Sequence, residues 1–193
     1  MTGIPGTPDR GIRGRVGAVV PARVHWTVEA WQRKSSDYVV PREIEVLIVS
    51  PGGVASTLLI EQIGRFLATN DAGDADGLKH RIRPPREMEG RRAVLLTGDP
   101  DSIWRSLTRR DYQDAQAIRL GLPSYFWSPL QRQERMLKQA VLTQRERWGA
   151  VGPAVVTTTF DRLWDDLPRI ADHLDLQDTD FIARFPPRRE RSS

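Results

Sequence analysis

The sequence predicts an α/β domain with a mainly parallel central sheet and helices on both of its faces. Three observations carry this reading. Short apolar, β-branched runs occur at 44–50 (IEVLIVS), 93–97 (AVLLT) and 154–159 (AVVTTT). Stretches with helical apolar spacing follow each of them. The first two runs end in loops of glycine, proline, serine and threonine, SPGGVAST and TGDP. Strands that alternate with helices need crossover connections, and those place parallel neighbours in one sheet.

The elements follow in order. Residues 1–43 hold four prolines and seven Arg or Lys. They read as a basic, partly mobile N-terminal extension, with residues 1–15 the most mobile, as termini usually are. Pro21 argues against one continuous helix over VGAVVPARVHWTVEAW. Residues 44–183 then form the domain. After the first strand, Leu59, Ile63, Phe66 and Leu67 fall at i, i+4, i+7 and i+8, one helical face. NDAGDADG (70–77) is a loop by composition. After the second strand, Pro100 suits the first turn of a helix carrying Ile103, Trp104 and Leu107. PSYFWSP (123–129) reads as an aromatic loop that covers an acceptor or simply packs. Residues 130–148 are helical. The third strand leads to a helix with Leu163, Leu167, Ile170, Ala171 and Leu174 on one side. Asp161, Asp165 and Asp166 read as solvated acids at the start of that helix. Residues 184–193 form a charged tail.

The loop after the first strand raises the functional question. A Walker loop needs two glycines five apart, then Lys and Ser or Thr. Five residues beyond Gly52 is Thr57, five beyond Gly53 is Leu58, and no lysine adjoins them. A G-x-G-x-x-G pattern is absent as well. What remains is a turn in which Gly52 and Gly53 let the backbone approach a ligand, with Ser56 and Thr57 at the start of a helix. The first N–H groups of that helix suit an anion. A plain tight turn with a hydroxyl N-cap is the other reading.

The second loop narrows the choice. In LLTGDPDSIWRSLTRR (95–110), Asp99 precedes Pro100 and Ser106 falls six residues after it. Together with GGVAST (52–57) and the late segment TTFDRLWDDLPRIADHLDL (158–176), this resembles the sulfotransferases that use 3′-phosphoadenosine 5′-phosphosulfate. The similarity spans residues 44–176. It implies a three-layer α/β/α, P-loop NTPase-like fold, with cofactor contacts at Gly52, Gly53, Val54, Ala55, Ser56 and Thr57. It also implies a 3′-phosphate contact at Ser106, helped by Arg105 and Arg109, which share a helical face. The chain departs from the family at Gly53 and Gly98, where the related enzymes carry cations, and at Val54 and Ala55.

The segment DADGLKHRIRPP (74–85) lies between the two loops. The resemblance places a Lys- and His-bearing element there, which makes Lys79 the candidate to replace the loop cation and His80 the candidate general base, an unshifted imidazole titrating near neutrality; an exposed polar turn is the other reading. Asp74 and Asp76 are a weak metal pair, and the family needs no metal. The implied activity is sulfuryl transfer to a hydroxyl acceptor, a carbohydrate among the candidates. The alternative is an inactive relative that binds an anionic glycan or a protein partner.

Composition bounds the rest. The chain has 193 residues, a net charge of +4 and no cysteine, which excludes disulfides and thiolate metal sites. The basic balance suits anionic ligands, but no zinc pattern or recognition motif supports nucleic acid. No apolar run approaches the length of a membrane span, and no apolar secretory segment opens the chain. The expectation is a cytoplasmic protein.

Overall fold

In the computed structural model, residues 16–34 and 37–188 are described. The three apolar runs become parallel strands: β1 (Val46–Val49), β2 (Arg92–Thr97) and β3 (Val155–Thr159). They pair in the order β1-β2-β3, with Val46 opposite Arg92 and Ala93 opposite Val155. Side chains alternate along a strand. Val46, Ile48, Val94 and Leu96 therefore enter one core, while Leu47, Val49, Ala93 and Leu95 enter another. Burial on both faces is why these strands read as continuous apolar runs rather than alternating ones.

The helices divide between the two cores. In the first, α2 (Ser56–Ile63) contributes Leu59 and Ile63, α6 (Leu167–His173) contributes Ile170, and α7 (Phe181–Arg184) contributes Phe181. In the second, α5 (Leu130–Gly149) closes the sheet with Trp148, whose Nε1 donates to the Arg81 carbonyl (2.9 Å). A third cluster joins α5 to α4 (Gln113–Arg119) and to a single 3-10 turn at Tyr125–Trp127. The PSYFWSP segment is therefore mainly packing: Tyr125 and Phe126 are buried in this cluster. The remaining helix of the crossover, α3 (Pro100–Arg109), starts where Pro100 predicts, with Asp99 capping the Ser102 N–H (2.8 Å).

Two expectations change at the N-terminal side. Helix α1 (Val16–Arg33) runs through Pro21. Proline there removes one hydrogen bond, to Gly17, just past the turn whose N–H groups have no helical partner anyway. Tertiary packing holds the rest: Trp26 packs against Phe126 with tilted rings whose centroids are 5.4 Å apart, and Ala30 is fully buried. A Cβ on Gly121, which has φ +65°, would sit 2.8 Å from the Lys34 nitrogen and 3.0 Å from the Ala30 carbonyl. Glycine is what lets α1 rest there. The segment before residue 44 is thus part of the domain, since Val40 and Ile44 also enter the second core. Residues 1–15 and 189–193, read as mobile and as tail, lie outside the described residues.

The C-terminal helix also differs. Residues 160–162 form a 3-10 turn and α6 begins only at Leu167. Asp166 is buried rather than solvated, accepting from Thr158 Oγ1 (2.6 Å) and Arg169 (3.0 Å). These bonds hold its carboxyl below the usual carboxylate range. Phe185 is buried beyond the expected boundary at 183.

The loop expected at 70–77 has a structural task. β1 lies at the edge of the sheet, and edge strands need cover. Val46 makes an isolated parallel bridge with Thr69. The Asn70 side chain then imitates a strand, accepting from Ile48 N–H (2.7 Å) and donating to the Ile48 carbonyl (3.1 Å). Farther on, Ser50 N–H donates to the Lys79 carbonyl (2.8 Å). The segment is a strap along β1, and its end brings Lys79 and His80 to the carboxyl end of that strand. Ligands of open parallel sheets bind at such ends.

Candidate functional site

β1 leads into Ser50, which is fully buried. Its hydroxyl donates to Ser56 Oγ (2.8 Å) and accepts from Gly52 N–H (3.3 Å), tying the two ends of the loop together. Between them, Gly52, Gly53 and Ala55 all have positive φ, at 92°, 75° and 61°. A Cβ on Gly52 would meet the amide end of the Gln116 side chain at 2.6 Å, and the φ of 92° is what favours glycine. Ala55 is not glycine, and the left-handed region costs such a residue roughly 1–2 kcal/mol. Strain of this kind collects where a loop must present its backbone. Ala55 also makes no side-chain cap to α2. The first N–H groups of that helix are therefore left for a ligand, as in helix-terminal anion sites.

Beside this loop is a cavity of about 570 Å³, lined by residues 52–57 and by Lys79, His80, Arg110 and Arg119, with Glu61 the one acidic residue in its wall. Three cations from three parts of the chain thus face the loop. Lys79 Nζ donates to Thr57 Oγ1 (2.7 Å) and to the Ala72 carbonyl (2.6 Å). Burial favours its neutral form and pulls its pKa down, with Asp74 opposing. Arg110 is anchored through Nε on the Ser106 carbonyl (2.9 Å), while Nη2 reaches Ser106 Oγ (3.3 Å). Arg119 lies over the Tyr112 ring, 5.3 Å from its centroid, with Nε 3.8 Å from Asp74.

The expected residues are thus partly gathered. Gly52, Gly53, Val54, Ala55, Ser56, Thr57, Lys79 and His80 all line the cavity. Ser106 stands behind Arg110, its Oγ 3.7 Å from where a Gly53 Cβ would be. Arg105 and Arg109 do not line the cavity. Arg105 turns to Ser102 Oγ (3.2 Å), and Arg109 is exposed. The residue that replaces them is Arg110, whose Nη2 lies 3.4 Å from the same Gly53 Cβ position. The helix turns by about 100° per residue, so Arg110 follows Ser106 at i+4 and shares its face. At Gly98, a Cβ would already lie 3.3 Å from Val54 and 3.5 Å from Ile103. A side chain at that position would press on Val54.

Sequence reasoning missed the α4 contribution. Gln116 and Arg119, with Tyr112 just before the helix, line the cavity. QDAQAIR carries no strong apolar stripe to mark it as a helix. The available signal was the spacing of 112, 116 and 119 at i, i+4 and i+7. The acidic pair has structural work instead. Asp76 accepts from Asp71 N–H (2.6 Å) and Leu78 N–H (3.0 Å). Asp74 is buried against Arg33 (2.8 Å) and accepts from Lys79 N–H (3.0 Å). Among the described residues, no cluster of His, Asp or Glu is arranged to hold a metal ion.

His80 is almost fully buried, and Nδ1 lies 2.8 Å from the Ser50 carbonyl. Nδ1–H therefore donates, and Nε2 is the nitrogen left to accept a proton. Burial pushes the imidazole pKa from 6.5 down to about 3, with Arg119 and Lys79 adding repulsion and the Ser50 bond opposing. Between these values the unfolded chain holds a proton that the native chain lacks. Stability is complete above pH 6.5 and falls on acidification by about 1.4 kcal/mol per pH unit from this group. His80→Asn keeps a donor for Ser50 and should remove that part of the slope. Denaturation from pH 7 to 4.5 measures it, and equal slopes in both proteins would refute the assignment.

Comparisons with family models, with curated proteins and with solved structures found no match. The site is therefore read from its own chemistry. Among the described residues, no helix is long and apolar enough to cross a membrane.

Proposed function

We propose that this cavity binds 3′-phosphoadenosine 5′-phosphosulfate in a P-loop-like fold and directs sulfuryl transfer to a hydroxyl acceptor. One observation carries the reading: Lys79, Arg110 and Arg119 converge on a glycine loop that has no cation of its own. Convergent cations around backbone N–H groups suit a ligand with several anionic groups. The nucleotide would supply the sulfuryl group. The loop N–H groups and Lys79 would hold its 5′ anions, Lys79 having one of its three donors left beyond Thr57 and Ala72. Ser106 and Arg110 would hold the 3′-phosphate. His80 Nε2 would take the proton of the acceptor hydroxyl, and bound anions nearby would favour the imidazolium and raise its basicity.

Isothermal titration with 3′,5′-adenosine bisphosphate tests this directly. Wild type is expected to bind, and Ser106→Ala to bind more weakly by about 5- to 15-fold, one hydrogen bond being worth about 1–1.5 kcal/mol. A folded wild type with no detectable binding overturns the reading.

The weak basicity of His80 favours a second reading, an inactive relative that binds an anionic glycan or partner. Labelled donor offered with mixed hydroxyl acceptors separates the two. Bisphosphate binding without turnover supports the second.

A further inference from the structure

A second cavity of about 570 Å³ lies beside the segment that follows α4 and carries an independent signal. Its walls come from the strap end at 82–83, from residues 120–122 after α4, and from α5. Leu120, Ile82, Leu122 and Met136 form an apolar floor, and they belong to or pack against the third core cluster. Around that floor stand Lys34, Arg83, Arg132, Arg135 and Arg147, with no acidic residue in the lining. None of these five makes an ion pair among the described residues. This contrasts with Arg33, Arg91, Arg119 and Lys138, which are all paired.

The arrangement follows from helix geometry. On α5, residues 132, 136, 139, 143 and 147 follow one another three or four apart and line the cavity. Leu137, Val141, Gln144 and Trp148 are buried on another side of the same helix. One stripe of α5 thus packs the domain, and another presents arginines beside half-buried apolar side chains. Like charges gathered without partners around a low-dielectric floor focus a positive potential into the cleft. The volume falls within the usual range for small-molecule sites, roughly 300–1,000 Å³.

We infer that this cleft binds a single-chain amphipathic anion, with its hydrocarbon on the apolar floor and its carboxylate among the arginines. The site is separate from the glycine-loop cavity: Gln116 and Arg119 of α4 face that cavity, whereas Leu120, Gly121 and Leu122 face this one.

Calorimetry with decanoate, below its micelle concentration, tests the inference on the full chain. Decanoate is expected to bind, 1-decanol at least 5-fold more weakly, and decyltrimethylammonium not at all. Arg132→Glu with Arg135→Glu, both at exposed positions, is expected to weaken decanoate at least 10-fold with unchanged circular dichroism. Gln139→Trp, which narrows the mouth, should weaken decanoate and decanol together. Saturating 3′,5′-adenosine bisphosphate should leave decanoate binding in place. Equal affinity for decanol and decanoate, competition by the bisphosphate, or binding only to phosphatidylglycerol vesicles would each overturn the proposal. So would the absence of decanoate binding by folded wild type.

Discussion

Replacing Asp74 by Asn is expected to lower the unfolding free energy by about 3–5 kcal/mol, the usual cost of removing one partner from a buried ion pair. Asp74 is the buried acid at the centre of a basic group. Its carboxylate meets Arg33 at 2.8 Å and Arg119 at 3.8 Å, and accepts the Lys79 N–H at 3.0 Å. Asparagine keeps the size of the side chain and tolerates the positive φ of 67° found at this position. The charge is lost and one of the two accepting oxygens becomes an NH2 donor, so Arg33 and Arg119 then face Lys79 without a buried counter-charge. Chemical denaturation measures the change in midpoint at constant slope. Asp71→Asn, at an exposed acid of the same strap, is the control and should stay within about 0.5 kcal/mol of wild type. A similar small effect for Asp74→Asn would refute the charge balance described for the site.

Arg110→Met is expected to weaken 3′,5′-adenosine bisphosphate by about 10- to 150-fold, since a charge-assisted hydrogen bond is worth about 1.5–3 kcal/mol. The reasoning is geometric. The loop position that bears a cation in the resembling enzymes is Gly53 here, and the Arg110 guanidinium lies 3.4 Å from where a Cβ at that position would stand. Methionine preserves the unbranched stem and removes the charge. Arg109→Met is the matched control, because Arg109 is exposed and does not line the cavity. Titration calorimetry at fixed ionic strength reads both variants. An effect at Arg109 equal to that at Arg110 would show that the helix acts only through its general positive potential. The mechanism proposed for the loop would then fail.

The two predictions divide what could be read from residues alone from what could not. The runs at 44–50 and 93–97 were legible because a strand buried on both faces has no alternative to a continuous apolar sequence, and the run at 154–159, buried only at alternate residues, was legible from its β-branched Val and Thr. Pro100 marked the start of α3 because its ring suits the first helical turn and little else in a helix. Gly52 and Gly53 were legible as a turn because few other residues take such φ values. Helix α1 was not, since packing on Phe126 and Gly121 outweighs the single bond lost at Pro21, and those contacts are remote in sequence. Asp166 was misjudged for the same reason: its partner Thr158 lies across a turn whose shape the pattern did not reveal.

For the site, local sequence determined the loop, the lack of any cation within it and the presence of Lys79 and His80 in the strap. Tertiary structure decided which charges reach it. The Asn70 side-chain and Lys79 backbone contacts align the strap with β1, and that alignment delivers Lys79 to Thr57. The phase of α3 selects Arg110 over Arg105 and Arg109, and the packing of α4 adds Arg119. Charges converge through space, whereas sequence motifs record only neighbours along the chain; a cation supplied from 26 to 66 residues away leaves no mark at Gly53 itself.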